Sequence, residues 1–377
     1  MPCSDFVRIV FIFNPMNLSN WNSSFGPGPL FIAGPCSAES LDQLLQLAVK
    51  IKALGITVMR AGVWKPRTRP GAFEGRGATA LKWLAEVKQH TGLAIATEVV
   101  NPQHVEKACE AGIDIVWIGA RTTVNPFSVQ EIAEALKGTD KIVWVKNPLN
   151  PDLSLWLGAI ERINRAGINR LAAIHRGFTP FRPARYRNLP LWQMPLELKS
   201  LHPQLPLIAD PSHIAGERSL VFEVAQRALD LGYDGLMIET HPEPDKALSD
   251  ARQQLAPEAL EEMVHKLRIS KTSSENVLFM NQLEKLREQI DHIDRELIDT
   301  LAARMRLAEK IGEYKKENHV AVFQPERWKE IMNTRPEWGE HAHLSADFIR
   351  DLYRIIHDES IRLQTQIFNQ SEQHDAP

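Results

Sequence analysis

Eight short apolar runs, each followed by a segment with helical spacing, constrain the fold of this chain more than any other feature. The predicted strands are Leu30–Gly34, Thr57–Ala61, Ala94–Val99, Ile115–Ala120, Ile142–Lys146, Leu171–His175, Leu207–Ala209 and Gly235–Thr240. Repeated βα units of this length predict a parallel sheet with right-handed crossovers, and eight of them can close into a (β/α)8 TIM barrel. An open doubly wound sheet is the rival, but no Gly-x-Gly-x-x-Gly turn follows the first run.

A different pattern occupies the last hundred or so residues. Apolar residues recur at helical spacing from Leu283 to Tyr314, which predicts one long helix over residues 280 to 317. At roughly 1.5 Å per residue it is on the order of 55 Å long, so it needs a partner helix from a second copy. Two further helices are predicted over Pro325–Thr334 and Ser345–Phe368. The expected organisation is an N-terminal extension (1–28), a barrel (29–268), a linker (269–276) and a small all-α domain (277–377) that dimerises by helix packing.

Composition narrows the choice of partners. The chain has 377 residues, 44% of them apolar, and a net charge of −3, so neither nucleic acid nor a membrane surface is an expected partner. Small anionic substrates remain possible because local clusters of Lys and Arg can form within a mildly acidic protein. Three cysteines cannot build a framework of several disulfides, which favours the reducing cytoplasm.

The apolar run Phe6–Phe13 is too short to span a bilayer, and no small-residue cleavage site follows it. We expect this run to be a disordered extension or an edge strand. A true start at Met16 is the alternative.

Ionisable residues follow nearly every predicted strand, and chemistry in (β/α)8 barrels takes place at those strand ends. Closure makes strand 8 the neighbour of strand 1, so Cys36, His213 and Glu239 should converge, with Asp250 in reach on the following loop. A thiolate, an imidazole and two carboxylates suit a divalent ion such as Mn, Fe, Co or Zn. Taken singly, Cys36 could instead be a buried apolar residue and His213 a helix cap.

Five cations should surround the same mouth. They are Arg60, Lys65, Arg121, Lys146 and Arg176. Arginine binds phosphate and carboxylate through paired hydrogen bonds, and lysine adds a point charge. This set is suited to two phosphates and one carboxylate.

Several motifs resemble the type I 3-deoxy-D-arabino-heptulosonate 7-phosphate (DAHP) synthase family over almost all of residues 29 to 268. They are Gly34-Pro-Cys-Ser-Ala-Glu39, Lys65-Pro-Arg-Thr68, Ile118-Gly-Ala-Arg121, Val145-Lys-Asn147, His175-Arg-Gly177, Ala209-Asp-Pro-Ser-His213, Glu239-Thr-His-Pro-Glu-Pro244 and Ser249-Asp250. The resemblance implies condensation of phosphoenolpyruvate with erythrose 4-phosphate, releasing phosphate. The related octulosonate 8-phosphate synthases share the barrel and several motifs, but Lys65-Pro-Arg-Thr68 favours the four-carbon aldose phosphate.

The resemblance also implies a role for each residue. Cys36, His213, Glu239 and Asp250 would be the metal ligands. The substrate-binding set would comprise Arg60, Lys65, Gly119, Ala120, Arg121, Lys146, His175, Arg176 and Asp210 for phosphoenolpyruvate and its surroundings, with Pro66, Arg67 and Thr68 for erythrose 4-phosphate. Glu98 or Lys65 would assist proton movement. Arg69 and Ala251 depart from the family, where Ser and Gly are common.

A second cationic site is predicted on the long helix. Lys315 follows Arg304 by eleven residues, which leaves the two side chains only about 20° apart on one helix face. Arg287 lies about 100° around the helix and would suit a partner's pocket instead. Ser360 and Gln364, at i and i+4, present a hydroxyl and an amide from the last helix.

This region, from Leu286-Arg-Glu-Gln-Ile-Asp291 to about residue 370, resembles the all-α chorismate mutase family. The implied reaction is the rearrangement of chorismate to prephenate. By resemblance, the neighbour's Arg287 together with Arg304 and Arg327 would hold carboxylates, while Lys315 and Gln364 would contact the ether oxygen. Gln324 and Trp328 depart from the family, where acids are usual at both positions.

Two further expectations concern assembly and control. The chain should form a homodimer through the helical domain, or a tetramer, and prephenate or chorismate bound there should alter the synthase. The alternative is an octulosonate 8-phosphate synthase barrel that carries a non-catalytic helical dimerisation module.

Overall fold

A computed structural model of the chain describes residues 16–65, 71–269 and 276–369. Two compact units, Met1–Thr272 and Ser273–Pro377, divide the chain, and each is described by itself. Within the described residues, no helix combines the length and apolar character needed to cross a bilayer. The apolar run Phe6–Phe13 and the loop residues Pro66, Arg67 and Thr68 lie outside the described residues.

The first unit is a closed barrel in which eight parallel strands pair in chain order. The strands are β1 Leu30–Gly34, β2 Val58–Arg60, β3 Ala94–Val99, β4 Ile115–Ile118, β5 Ile142–Lys146, β6 Leu171–His175, β7 Leu207–Ala209 and β8 Gly235–Glu239. The predicted (β/α)8 fold is confirmed. β4 is two residues shorter than expected because Gly119 already caps the next helix.

Helices follow the strands. They are α1 Leu41–Ala53, α2 Ala78–Thr91, α3 Pro102–Glu110, α4 Ala120–Thr123, α5 Pro126–Leu136, α6 Leu153–Arg165, α7 Gln193–Leu201, α8 Pro211–Ala215, α9 Arg218–Asp230 and α10 Pro257–Lys266. Side-chain caps begin several of them, since Asn101, Asn125 and Asp152 each accept a backbone N–H one turn on. Proline at the first position of α3 and α5 fixes the helical φ where no N–H partner is needed.

Successive side chains along each strand point alternately out of and into the barrel, so the strands separate an outer apolar layer from an inner one. Outward side chains pack with the helices in the larger core, as Ala33 and Ile238 do. Inward side chains, among them Ile32, Trp117 and Trp144, fill the barrel itself. The interior is therefore a packed core, and ligands can reach only its rims.

Residues preceding β1 close the amino-terminal end of the barrel. Trp21 is buried against the inner core, and its Nε1 donates to the carbonyl of Leu171 at 2.8 Å. Its ring also lies 6.1 Å from that of Trp144. An indole from the segment that precedes the predicted barrel thus completes the barrel core.

The second unit consists of three helices, α11 Val277–Glu317, α12 Pro325–His341 and α13 Ala346–Asn369. α11 has 41 residues and runs through Gly312, where an added Cβ would lie 3.0 Å from the side chain of Gln364. The glycine thus lets α11 and α13 approach closely. The amino-terminal half of α11 carries exposed apolar side chains at helical spacing, including Leu286, Ile290 and Leu297.

Candidate active sites

Closure of the barrel brings Cys36 to Glu239. Gly34 pairs with Glu239 in the β1–β8 ladder, so the turn after β1 lies over the end of β8. Gly34 has a φ of +146°, and a Cβ there would lie 2.0 Å from the carbonyl oxygen of Arg60, so only glycine fits this turn. One ligand atom each from Cys36, Glu239 and Asp250 lies within 4.8 Å of the others. The three groups can therefore bind one cation.

His213 lies beside this group but outside it. Its Nε2 is 3.8 Å from Oε1 of Glu239, while its Nδ1 is 2.8 Å from Oδ2 of Asp210. A proton on Nδ1 would be donated to Asp210, which leaves the Nε2 lone pair facing the carboxylate of Glu239. Two acceptors that face each other across a short gap favour a cation between them.

Positive side chains surround the same carboxylate and thiol. Arg60 is buried and donates to Oε1 of Glu239 at 2.6 Å, and Lys65 Nζ lies 3.0 Å from Sγ of Cys36. Burial and then the charge of Glu239 raise the pKa of Cys36 to about 12. Burial works against ionisation of Glu239, but neighbouring positive charge, including that of Arg60 and Lys65, outweighs it and holds the pKa of Glu239 below its usual value. The thiol therefore needs additional positive charge before it becomes a thiolate.

A cavity of about 190 Å³ adjoins the cluster. It is lined by Lys65, Glu98, Gly119, Ala120, Arg121, Lys146, Leu149, Arg176, Arg187, His213 and Asp250. Five of these are Lys or Arg and two are carboxylates, so the cavity is suited to an anion of high charge. Burial lowers the pKa of Arg176 to about 10, which still leaves it charged at neutral pH.

Buried contacts fix the cations of this cavity. Lys146 Nζ donates to Oδ2 of Asp210 at 2.7 Å and lies 5.6 Å from the ring centroid of Trp117. The guanidinium of Arg60 approaches the same ring at 4.9 Å. Arg176 donates to Oδ1 of Asn188 at 2.8 Å. These groups are held in place before any ligand arrives.

Three predicted substrate-binding residues lie behind the cavity. Arg60 pairs with Glu239, and Asp210 accepts from Lys146 and His213, so both orient other groups. His175 is fully buried, with its Nδ1 hydrogen-bonded to the hydroxyl of Tyr233 at 2.9 Å and its ring edge-on to Trp192. Within the described residues, the lining of the cavity excludes His175.

Sequence reasoning missed several residues of this rim. Arg187 donates to Oδ1 of Asp250 at 3.0 Å and to Oε1 of Gln253 at 2.6 Å. Gln253 in turn donates to Oε2 of Glu239 at 2.7 Å, and Gln254 accepts the backbone N–H of Cys36 at 2.9 Å. These residues lie on loops well past the strand ends, where the strand pattern gives no signal.

The helical unit has its own cavity, of about 430 Å³, between its three helices. Nη1 of Arg304 donates to Oγ of Ser360 at 2.8 Å, and Nζ of Lys315 donates to Oε1 of Gln364 at 3.1 Å. Arg327 also lines this cavity. Burial lowers the pKa of both Arg304 and Lys315. Arg304 and Lys315 thus lie on the face of α11 that contacts Ser360 and Gln364 of α13, as the spacing of each pair in the sequence predicts.

The positions that depart from the mutase pattern also line this cavity. Trp328 stacks on His357 with ring centroids 4.1 Å apart, and Gln324 is the first residue before α12. Arg335, which sequence reasoning missed, lines the cavity with its guanidinium 4.3 Å from the ring of Trp338. Arg287 contacts Glu284 at 3.5 Å on the exposed surface and is not among the lining residues described here.

The barrel places a group of possible cation ligands, Cys36, Glu239 and Asp250, beside a cavity lined by Lys and Arg side chains. Such a site defines a class of enzymes that act on small phosphorylated anions. The chain also has a three-helix unit with its own cationic cavity. The family model of the DAHP synthetase I family matches residues 22–275, and that of chorismate mutase type II matches residues 286–365. The chain belongs to the DAHP synthetase I family and carries a fused chorismate mutase type II domain.

Individual relatives agree with this assignment. A phospho-2-dehydro-3-deoxyheptonate aldolase from Thermotoga maritima is 35% identical over 237 residues, which are 63% of this chain and 68% of that protein. A 2-dehydro-3-deoxyphosphooctonate aldolase from Nitratidesulfovibrio vulgaris is 30% identical and covers 58% of this chain and 83% of its own length. The crystal structure of the Thermotoga DAHP synthase superposes with a TM-score of 0.57 at 32% identity, covering 63% of this chain and 67% of that one.

Proposed function

We propose that the barrel condenses phosphoenolpyruvate with erythrose 4-phosphate to give DAHP and phosphate. The observation that carries this proposal concerns Asp250. It is one of the three possible cation ligands, with Cys36 and Glu239, and it also lines the cavity that contains the five Lys and Arg side chains. A cation and a phosphorylated anion would therefore meet at one place. Such a meeting suits the condensation of an enol phosphate with an aldehyde that the cation polarises.

Cys36, His213, Glu239 and Asp250 are the residues that would hold the divalent ion. These ligand atoms fit a cation for two reasons. A cation would be attracted to both His213 Nε2 and the Glu239 carboxylate, which face each other, and it would lower the raised pKa of the Cys36 thiol. Mixed sulfur, nitrogen and oxygen ligands suit Mn, Fe, Co or Zn. When bound, the ion supplies Lewis acidity to the aldehyde carbonyl.

The cavity residues bind and orient the anions. Arg121, Lys146 and Arg176 hold phosphoenolpyruvate over the Gly119–Ala120 backbone, and Lys65 lies on its carboxylate side. Arg60 holds Glu239 in place rather than touching substrate. Glu98 or Lys65, both of which line the cavity, is proposed to assist proton movement as water adds at C2. Pro66, Arg67 and Thr68 are proposed to receive erythrose 4-phosphate.

Phosphate release with each of two aldose phosphates tests the barrel proposal. With phosphoenolpyruvate present, we expect erythrose 4-phosphate to support release and arabinose 5-phosphate to support little. The alternative, octulosonate 8-phosphate synthesis, is favoured by the relatives named 2-dehydro-3-deoxyphosphooctonate aldolase. The reverse preference would establish it.

The ion is tested with metal analysis of protein purified without chelator. We expect bound divalent metal in wild type and at least a roughly tenfold weaker affinity for Zn²⁺ or Co²⁺ in Cys36→Ser, because a hard hydroxyl replaces a soft thiolate. Cys109→Ser is the matched control, since Cys109 lies on α3 away from the cluster. Equal affinity in the two variants would remove Cys36 from the ligand set.

For the helical unit we propose the rearrangement of chorismate to prephenate. The observation that carries this proposal is a cavity lined by Arg304, Lys315 and Arg327. The step needs no nucleophile. It needs cations that fold a dicarboxylate into its reactive conformer and donors at the ether oxygen, which Lys315 and Gln364 would provide.

Loss of chorismate absorbance tests this second activity. We expect wild type to consume chorismate and Arg304→Ala to lose roughly 100-fold or more in kcat/KM. If wild type consumes no chorismate, the mutase proposal fails and the helical unit has a non-catalytic role. That result would leave the barrel proposal untouched.

We also propose that the chain forms a homodimer through the helical unit, with Arg287 reaching the partner's cavity, and that it works in the reducing cytoplasm. Chorismate or prephenate bound in the helical cavity is proposed to alter the synthase. Deletion of residues 270–377 tests this. Unchanged inhibition of the synthase by prephenate after deletion would contradict it.

A further inference from the structure

The cavity of the helical unit is rich in cations and poor in acceptors. Its charged lining residues are Arg304, Lys315, Arg327 and Arg335, and the described lining contains no carboxylate. A cyclic dicarboxylate with an enol ether offers acceptors that suit these cations. Chorismate also has one ring hydroxyl, whose proton must find an acceptor if it is buried there.

Most neutral acceptors in this cavity are already engaged. The hydroxyl of Ser360 accepts from Arg304 at 2.8 Å and donates to the carbonyl of Ile356 at 2.7 Å. Lys315 donates to Oε1 of Gln364 at 3.1 Å and to the carbonyl of Val322 at 2.6 Å. The side chains of Gln324, Tyr353 and His357 are the other possible acceptors in the lining for the ring hydroxyl.

His357 has a free ring nitrogen in this place. It precedes Ser360 by three residues and Gln364 by seven, so all three lie on the face of α13 that lines the cavity. Its Nε2 is buried and has no hydrogen-bond partner among residues 16–65, 71–269 and 276–369. A buried polar nitrogen without a partner is costly unless a ligand satisfies it.

Neighbouring groups determine the charge and the orientation of this ring. Burial, then the charges of Arg304 and Lys315 on α11, lower the pKa of His357, while Asp358 on its own helix acts in the opposite direction. The imidazole is thus neutral at pH 7 and has one bare nitrogen. Trp328 of α12 stacks on the ring at an interplanar angle of 22°, and Phe323 meets it edge-on at 5.9 Å.

We infer that His357 accepts the hydrogen bond of the ring hydroxyl of the substrate in the helical cavity, and that Trp328 is the positioning residue that holds the imidazole. The inference deepens the proposed mutase function and rests on it for the identity of the ligand. The inference explains why an aromatic residue occupies position 328: Trp328 stacks on the imidazole of His357, which accepts the hydrogen bond in place of a carboxylate.

The test compares chorismate with an analogue whose ring hydroxyl is replaced by hydrogen. Affinity is measured by tryptophan fluorescence and turnover by kcat/KM. In wild type we expect chorismate to be preferred roughly tenfold, the contribution of one neutral hydrogen bond. His357→Phe should bring that ratio to about one, and His357→Gln, which keeps an acceptor, should retain most of it. A merely structural role would lower both substrates together and leave the ratio unchanged, which would overturn the inference.

Two further variants sharpen the result. Gln324→Leu is the matched control, since Gln324 lines the same cavity, and its ratio should stay at the wild-type value. Collapse of the ratio in Gln324→Leu but not in His357→Phe would overturn the inference. Trp328→Leu should reduce the ratio, and Trp328→Phe, which keeps a stacked ring, should restore it.

Failure of the mutase proposal is distinguishable from failure of this inference. If wild type prefers chorismate in binding but turns over neither ligand, and His357→Phe abolishes that preference, the mutase proposal fails and the acceptor role of His357 stands. If wild type binds both ligands equally, the inference fails, whether or not turnover occurs.

Discussion

Gly119 leaves room for the carboxylate of Glu98 at the rim of the barrel. A Cβ at this position would lie 2.0 Å from Oε1 of Glu98, so Gly119→Ala must displace that side chain. We predict a loss of roughly 100-fold in kcat/KM for DAHP formation, because small displacements of a positioned group cost about that much. Phosphate release measures it, and circular dichroism should remain unchanged.

Gly158→Ala is the matched control for this substitution. Gly158 lies within α6, where an added Cβ meets no atom within 4 Å. Alanine should be neutral there, or stabilising by about 0.5–1 kcal/mol, with full activity. Full activity in Gly119→Ala as well would show that Glu98 can move without consequence.

His175 links the stability of the barrel to pH. Burial lowers its pKa from 6.5 to about 3, so the native state keeps it neutral. Below pH 6.5 the unfolded chain takes up a proton that the native chain refuses, so the free energy of unfolding falls as the pH drops from 6.5 towards 3. This residue contributes a slope of up to about 1.4 kcal/mol per pH unit.

Urea unfolding between pH 7 and pH 4 measures that slope. His175→Asn removes the titrating group, so the variant should be less stable at neutral pH but show the shallower dependence. Equal slopes for the two proteins would contradict the prediction.

At the residue scale, the sequence predicted which residues form the site better than it predicted the direction in which each side chain points. Cys36, Glu239 and Asp250 were expected to converge, and their ligand atoms lie within 4.8 Å of one another. His175 was counted with the cavity because it ends a strand, although its neighbour Ile174 already faces inward and the two-residue period turns His175 outward. Arg187 was missed because it lies on a long loop, whose path depends on tertiary contacts.

Among the elements, α11 tests the proposed dimer. Leu286, Ile290 and Leu297 are 47%, 56% and 53% exposed although they form one apolar stripe. We predict that Ile290→Asp converts the dimer to a monomer, since a charge on the stripe would have to be buried without a partner. Light scattering with size-exclusion chromatography measures the mass.

Glu288→Gln is the control for α11. Glu288 lies on the opposite side of the helix from Ile290, so its replacement should leave the mass unchanged. Mutase activity should fall with dissociation because Arg287 would lose its neighbour, while DAHP formation should persist. A dimeric Ile290→Asp protein would show that the stripe is covered in another way.

Helix bounds illustrate which signals are dependable. The helical spacing predicted after the fifth strand is confirmed as α6, Leu153–Arg165, because an Asp cap begins it and its apolar period is strong. The prediction Pro325–Thr334 stopped too early, since α12 continues through the buried Pro336 to His341. Proline removes one helical hydrogen bond, but packing in the helical unit outweighs that loss.

At the scale of the whole molecule, the two compact units should unfold separately. We predict two calorimetric transitions, with divalent metal plus phosphoenolpyruvate raising the midpoint of the barrel transition, because a ligand stabilises only the unit that binds it. Chorismate should raise the midpoint of the transition of the helical unit. A single transition would show that the two units share their cooperativity.

The two cavities also determine how charge is distributed over the chain. One is lined by five cations and the other by four, yet the net charge is only −3, so an excess of carboxylates must occupy the remaining surface. Both cavities will therefore concentrate whatever polyvalent anions the surrounding solution provides. Sulfate or phosphate in an assay buffer will compete with the substrates, and the apparent KM will rise with ionic strength as the attraction is screened.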